Sequence, residues 1–128
     1  MSKKRIFVID DQSEILSLVN DYLSNSGFEV SLCKDSKEAL HLIKSFRPDL
    51  ILLDLLMPEL GGFEICEILN KEPETRGIPI IIISGFGDLV DVKKAYELGV
   101  EGYFVKPFSL SDLSNQINKV IEHKENPL

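Results

Sequence analysis

Basic charge is scarce in this chain. It has 14 Lys and Arg against 21 Asp and Glu, a formal net charge of −7 and a pI of about 4.8. Nucleic-acid phosphates are neutralised by clustered cations. The only basic run here is Lys3-Lys4-Arg5, which reads as a solvated chain start. Direct nucleic-acid binding is therefore not expected. Long apolar runs are missing as well. The longest, such as Ile78 to Ile83, have strand length and cannot span a bilayer. No signal-peptide pattern is present, so the expectation is a cytoplasmic protein without membrane contact. Cysteine is limited to Cys33 and Cys66, and their spacing is neither metal-binding nor redox-active. Both read as small buried hydrophobes in a reducing compartment. A G-x-G-x-x-G or P-loop is also absent, which removes the usual backbone cradle for a nucleotide.

What remains is an ordinary globular composition over 128 residues, 44% hydrophobic and 27% charged. That is one domain of normal size. Apolar runs alternate with segments of helical period. Strands are expected at Arg5–Asp10, Phe28–Cys33, Asp49–Asp54, Pro79–Ser84 and Gly102–Lys106. Helices are expected at Ser13–Asn25, Ser36–Phe46, Gly62–Lys71, Leu89–Leu98 and Ser109–His123. Gly27 and Gly99 read as helix stops, and Ser36 and Ser109 as N-caps. Continuous Ile/Leu/Val runs suit strands buried on both faces. Five consecutive β-α units predict an α/β fold, a doubly wound, five-stranded parallel sheet with five helices. The domain should span residues 1–128, with a core of about 4–121 and a polar, fraying tail over 122–128.

In such a sheet the carboxyl ends of the strands form one rim, where ligands bind. The first strand ends at Asp10-Asp11, the third at Asp54 and the fifth at Lys106-Pro107. One aspartate after a strand is explained by a helix dipole or a turn. Two adjacent ones beside a third repel one another unless a cation intervenes. Oxygen ligands of this kind suit Mg²⁺ or Mn²⁺. Asp54, at the end of an apolar run, is the candidate nucleophile, since a carboxylate can form an acyl phosphate. Lys106 supplies a fixed positive charge for a phosphoryl oxygen. Ser84 offers a hydroxyl at the end of the fourth strand, next to the open backbone of Gly85. His41 and His123 fall in helices away from the rim and read as surface residues.

With these motifs in place, the chain resembles a response-regulator receiver domain (CheY-like) of two-component signalling. The resemblance rests on Asp10-Asp11, Asp54-Leu-Leu-Met57-Pro58-x-x-Gly-Gly, Ser84-Gly85 and Tyr103-Phe-Val-Lys106-Pro107-Phe108. It runs from Lys4 to about Ile121. It implies the strand order 2-1-3-4-5 of a flavodoxin-like, three-layer sandwich. It implies that Asp54 is the phosphoacceptor. Asp11, Asp54 and the backbone carbonyl of Leu56 would ligate Mg²⁺, with Asp10 acting largely through water. Ser84 and Lys106 would bind the phosphoryl group, and Tyr103 would turn inward as Ser84 moves. Leu56 and Phe86 would flank the path of a hydrolytic water. The phosphodonor would be a histidine kinase or a histidine phosphotransfer protein.

That reading makes the chain a phosphorylation-activated switch, not an enzyme in the usual sense, though it assists its own phosphorylation and dephosphorylation. The alternatives are an interaction module on the same fold that is never phosphorylated, and an Asp-nucleophile phosphatase. A haloacid-dehalogenase-type phosphatase needs a second Asp two residues after the first, where this chain has Leu56. A flavodoxin-like cofactor binder would meet a repelling acid pair in its phosphate loop. The downstream effector, and whether the domain acts alone or within a longer protein, stay open.

Overall fold

The computed structural model describes residues 2–127. The elements follow in strict alternation: β1 (Arg5–Ile9), α1 (Ser13–Asn25), β2 (Glu29–Cys33), α2 (Ser36–Phe46), β3 (Leu50–Asp54), α3 (Gly62–Lys71), β4 (Ile80–Ser84), α4 (Leu89–Glu97), β5 (Gly102–Val105) and α5 (Leu110–Glu125). The strands form one parallel sheet in the order β2-β1-β3-β4-β5. Fold class and strand order are those expected.

The period of two along each strand decides which layer a side chain joins. Phe7, Ile9, Ile51, Leu53, Ile80 and Ile82 face one layer, where they meet Ala39 and Ile43 of α2, Ile65, Cys66 and Leu69 of α3, and Ala95 of α4. Ile6, Val8, Leu50, Leu52, Ile81 and Ile83 face the other, against Leu16, Val19 and Leu23 of α1 and Leu113, Ile117, Val120 and Ile121 of α5. Both faces of β1, β3 and β4 are thus buried, which is why these strands read as unbroken apolar runs. Each side chain fully removed from water contributes about 1.5–3 kcal/mol. This buried centre fixes the strand ends that carry the polar residues. Both cysteines are free and buried, as read from the sequence, and burial pushes the Cys66 thiol up to about 12.

Helix ends follow local chemistry, with two departures from expectation. Gly27 (φ 96°) and Gly99 (φ 89°) take the left-handed conformation after α1 and α4. Ser109 caps α5, its hydroxyl accepting from Asp112 N–H at 3.2 Å. At α2, however, the cap is Asp35 and not Ser36: the Asp35 carboxylate accepts from Lys37 N–H at 2.9 Å. Ser36 is the first helical residue, and its hydroxyl is engaged elsewhere. The second departure is α5, which runs to Glu125 where its end was expected at His123. Lys4 pairs with Glu125, and His123 and Lys124 sit in the last turn, where cations favour the helix dipole. Of the expected tail, Leu128 lies outside the described residues, as does Met1. No described helix is long and apolar enough to cross a membrane.

Candidate functional site

Because β1 and β3 are neighbours in register, with Ile9 opposite Leu53, the residues after them converge. Asp10, Asp11 and Asp54 each offer a carboxylate oxygen, and these atoms lie within 4.8 Å of one another. Asp10 is fully buried, Asp54 nearly so and Asp11 partly exposed. Lys106 reaches the cluster from the end of β5. Its Nζ stands 2.8 Å from Asp10 Oδ2 and 3.6 Å from Asp54 Oδ2. The peptide bond to Pro107 is cis.

Asp10 is held at several points. Its N–H donates to Cys33 O (3.1 Å), and its Oδ1 accepts from Gln12 N–H (2.9 Å). Its Oδ2 has the ionic contact with Lys106 but no aligned hydrogen bond, so a buried carboxylate oxygen is incompletely satisfied. Asp54 Oδ1 accepts a long bond from Leu56 N–H at 3.3 Å. Burial, and then the charge of Asp10, push the Asp54 carboxyl up to about 7, against the opposing pull of Lys106. One lysine does not compensate three carboxylates. An incompletely satisfied oxygen, an all-oxygen donor set and a partly open edge at Asp11 fit a hard divalent cation such as Mg²⁺.

The remaining expected residues lie on the same rim. Ser84 ends β4, one residue past the Asp54–Ile83 pairing, and is buried. Its Oγ accepts from Phe86 N–H at 3.1 Å. The Tyr103 hydroxyl donates to Phe86 O at 2.5 Å, so Ser84, the Phe86 backbone and Tyr103 are linked in series. Tyr103 is partly buried, and burial raises its hydroxyl above the usual range. Leu56 and Phe86 are each about half exposed (53% and 50%) on the loops that follow β3 and β4. His41 and His123 are exposed on α2 and α5.

Sequence reasoning missed Gln12. Its Oε1 accepts from Lys106 Nζ at 2.7 Å, across 94 residues of chain. It also missed the bond from Ser36 Oγ to Pro58 O at 3.2 Å. No local pattern signals either one. Gln12 had only its place after the acid pair to mark it.

The family model for the response regulator receiver domain matches residues 6–118. The probable transcriptional regulator ycf27 of Cyanophora paradoxa is 39% identical over 127 residues, which is 99% of this chain and 52% of that protein. The DNA-binding response regulator MtrA of Mycolicibacterium smegmatis is 31% identical over 123 residues, 96% of this chain and 53% of its own length. This chain therefore spans about half the length of the curated relatives it matches. Among solved structures, a CheY-like receiver domain protein from Methanospirillum hungatei superposes with a TM-score of 0.91 at 28% identity, covering 99% of this chain and 100% of that one. A receiver domain protein from Clostridium thermocellum gives 0.88 at 33% identity, covering 98% and 99%. The chain belongs to the response-regulator receiver domains, the phosphorylatable switch modules of two-component signalling.

Proposed function

We propose that Asp54 is the phosphoacceptor, and that the phosphoryl group comes from a histidine kinase or a histidine phosphotransfer protein. The observation that carries this is a nearly buried carboxylate at a strand end, facing one lysine inside an acid cluster. An Asp54 oxygen attacks phosphorus. The O–P bond of an acyl phosphate forms as the P–N bond to the donor imidazole breaks, and the electron pair returns to the imidazole nitrogen. Asp11, Asp54 and the Leu56 carbonyl are the candidate first ligands of Mg²⁺, with Asp10 beyond them. When bound, that cation would neutralise charge on the phosphoryl oxygens. Lys106, already at the cluster, receives a phosphoryl oxygen through a charge-assisted hydrogen bond. The Ser84 hydroxyl donates to another, and as its Oγ turns toward the phosphoryl group it gives up the Phe86 N–H it now accepts from. Because Tyr103 bonds to the same Phe86 peptide segment, this exchange is what repositions Tyr103. Incubation with acetyl phosphate, with and without Mg²⁺, followed by intact-mass measurement tests the reading. One phosphoryl increment that needs Mg²⁺ is expected. No increment under any condition overturns it.

Phospho-Asp54 should be long-lived. Leu56 and Phe86 stand on the two loops beside the acceptor, and neither side chain can orient a water by hydrogen bonding. Leu56→Asn, Phe86→Glu and the double variant should lose phosphate faster than wild type, by up to about tenfold, near 1.4 kcal/mol of barrier. Time courses of mass loss after donor removal measure this. Identical decay in all four proteins would show that these side chains do not control water access.

The donor protein docks on α1. Leu18 is 56% exposed, while Ile15 is partly buried against the α1/α5 core. Together with Val19, Pro107, Phe108 and Leu110 they line an apolar hollow of about 120 Å³. An apolar helix face on the partner would fill it. Leu18→Ala should slow transfer from a histidine kinase about tenfold, equivalent to 1.4 kcal/mol, yet leave labelling by acetyl phosphate unchanged. Equal slowing with both donors would place the defect in the site and not in docking. We assign no nucleic-acid contact to the domain itself, since a net charge of −7 gives little to exchange for DNA counterions.

A further inference from the structure

The loop after Asp54 contains a strained residue. Glu59 adopts φ 69°, a left-handed conformation that a side chain with a Cβ disfavours. Such a conformation persists only where its surroundings over-determine it. The surroundings are the first turn of α2. Ser36 Oγ donates to Pro58 O at 3.2 Å, on the peptide that enters Glu59. Lys37 Nζ stands 3.2 Å from Glu59 Oε1. Ser36 is only 3% exposed, so its hydroxyl has little access to water as a substitute partner. Cys33, the last residue of β2 and three residues before Ser36, accepts the Asp10 N–H through its carbonyl. One short segment, Cys33 to Lys37, therefore grips both the backbone of Asp10 and the loop that carries the Leu56 carbonyl.

We propose that Ser36 is a positioning residue for the metal site. Its bond to Pro58 O keeps Glu59 left-handed and thereby fixes the course of the loop on which the Leu56 carbonyl lies. The inference rests on the reading that Asp11, Asp54 and Leu56 O bind Mg²⁺. Without the hydroxyl, Glu59 relaxes toward negative φ and the loop that carries the Leu56 carbonyl moves, while the three carboxylates stay. Neither α2 capping nor the sheet needs Ser36 Oγ, since Asp35 makes the cap.

Isothermal titration of the full chain with Mg²⁺ tests this without any phosphodonor. Ser36→Ala should weaken Mg²⁺ by about tenfold, the low end for loss of a group that supports metal ligands. Asparagine tolerates the left-handed region far better than glutamate. Ser36→Ala/Glu59→Asn should therefore recover most of the affinity, a rescue that general loosening of the fold would not give. Glu59→Asn alone should bind as wild type. Ser36→Ala binding within twofold of wild type overturns the proposal, and so does a double variant no tighter than Ser36→Ala. Failure of wild type to bind Mg²⁺ would instead overturn the metal reading beneath it, an outcome visible before any variant is compared.

Discussion

Asp54→Asn should accept no phosphoryl group, and without metal it should be more stable than wild type at pH 7.5 by about 1–3 kcal/mol. The second effect runs against the usual cost of altering a buried polar residue. It follows from the position of the carboxyl, which burial and Asp10 push up to about 7. An unfolded chain ionises the same group near pH 3.9. Between those values the folded state holds a proton that the unfolded state has released. Stability therefore falls as pH rises through that window, and the loss is complete above pH 7. About 1.4 kcal/mol per pH unit sets a ceiling of roughly 4 kcal/mol, and local relaxation lowers it. Asparagine keeps the shape and carries no charge. Urea unfolding in chelator at pH 5, 6 and 7.5 should show the gap between the two proteins widening with pH. Millimolar Mg²⁺ should narrow it, because a cation that binds only the folded wild type stabilises that state. A gap that stays constant from pH 5 to 7.5 would mean that Asp54 does not ionise at the cost described. Phosphorylation elsewhere in Asp54→Asn would remove Asp54 as the acceptor.

The legibility of this protein follows from which interactions are local. The helices α1 and α3 begin and end at the residues expected, because an amphipathic period is a property of a short stretch. Strand ends differ by a residue, as with β1 ending at Ile9 where Asp10 was expected. The Asp10, Asp11, Asp54 and Lys106 constellation was readable because parallel β-α topology sends every strand end to one rim. What could not be read depends on partners far along the chain. Asp35 and Ser36 are both competent N-caps. The choice between them is made by Pro58, whose carbonyl takes the Ser36 hydroxyl. Gln12 joins the site only through Lys106. The last turn of α5 reads as polar tail until Lys4 is placed beside Glu125.

Gly62→Ala should destabilise the protein by about 2–3 kcal/mol and impair the acceptor site, whereas Gly61→Ala should change stability by less than about 0.5 kcal/mol. Local propensity predicts the opposite for Gly62. It is the first residue of α3, where alanine is ordinarily better than glycine by roughly 0.5–1 kcal/mol. The surroundings decide the sign. A Cβ on Gly62 would lie 2.6 Å from Asp54 O and 2.6 Å from Leu55 Cα. Both are backbone atoms at the end of β3, so no side chain can swing aside to make room. The Gly62 N–H also donates to Leu55 O at 3.0 Å, which ties α3 to the same segment. Relief requires α3 to slide outward or the Asp54–Leu55 backbone to shift. Sliding would withdraw Ile65, Cys66 and Leu69 from the core, and shifting would move the Asp54 carboxylate. At Gly61 the nearest atoms to a Cβ are 3.6 Å and 3.7 Å away, and φ is −77°, so alanine fits there. Urea midpoints and acetyl-phosphate labelling of the two variants measure both consequences. Equal stability and equal labelling for Gly62→Ala and Gly61→Ala would show that the helix yields freely, and that the double glycine after Asp54 does not set the spacing between α3 and the site.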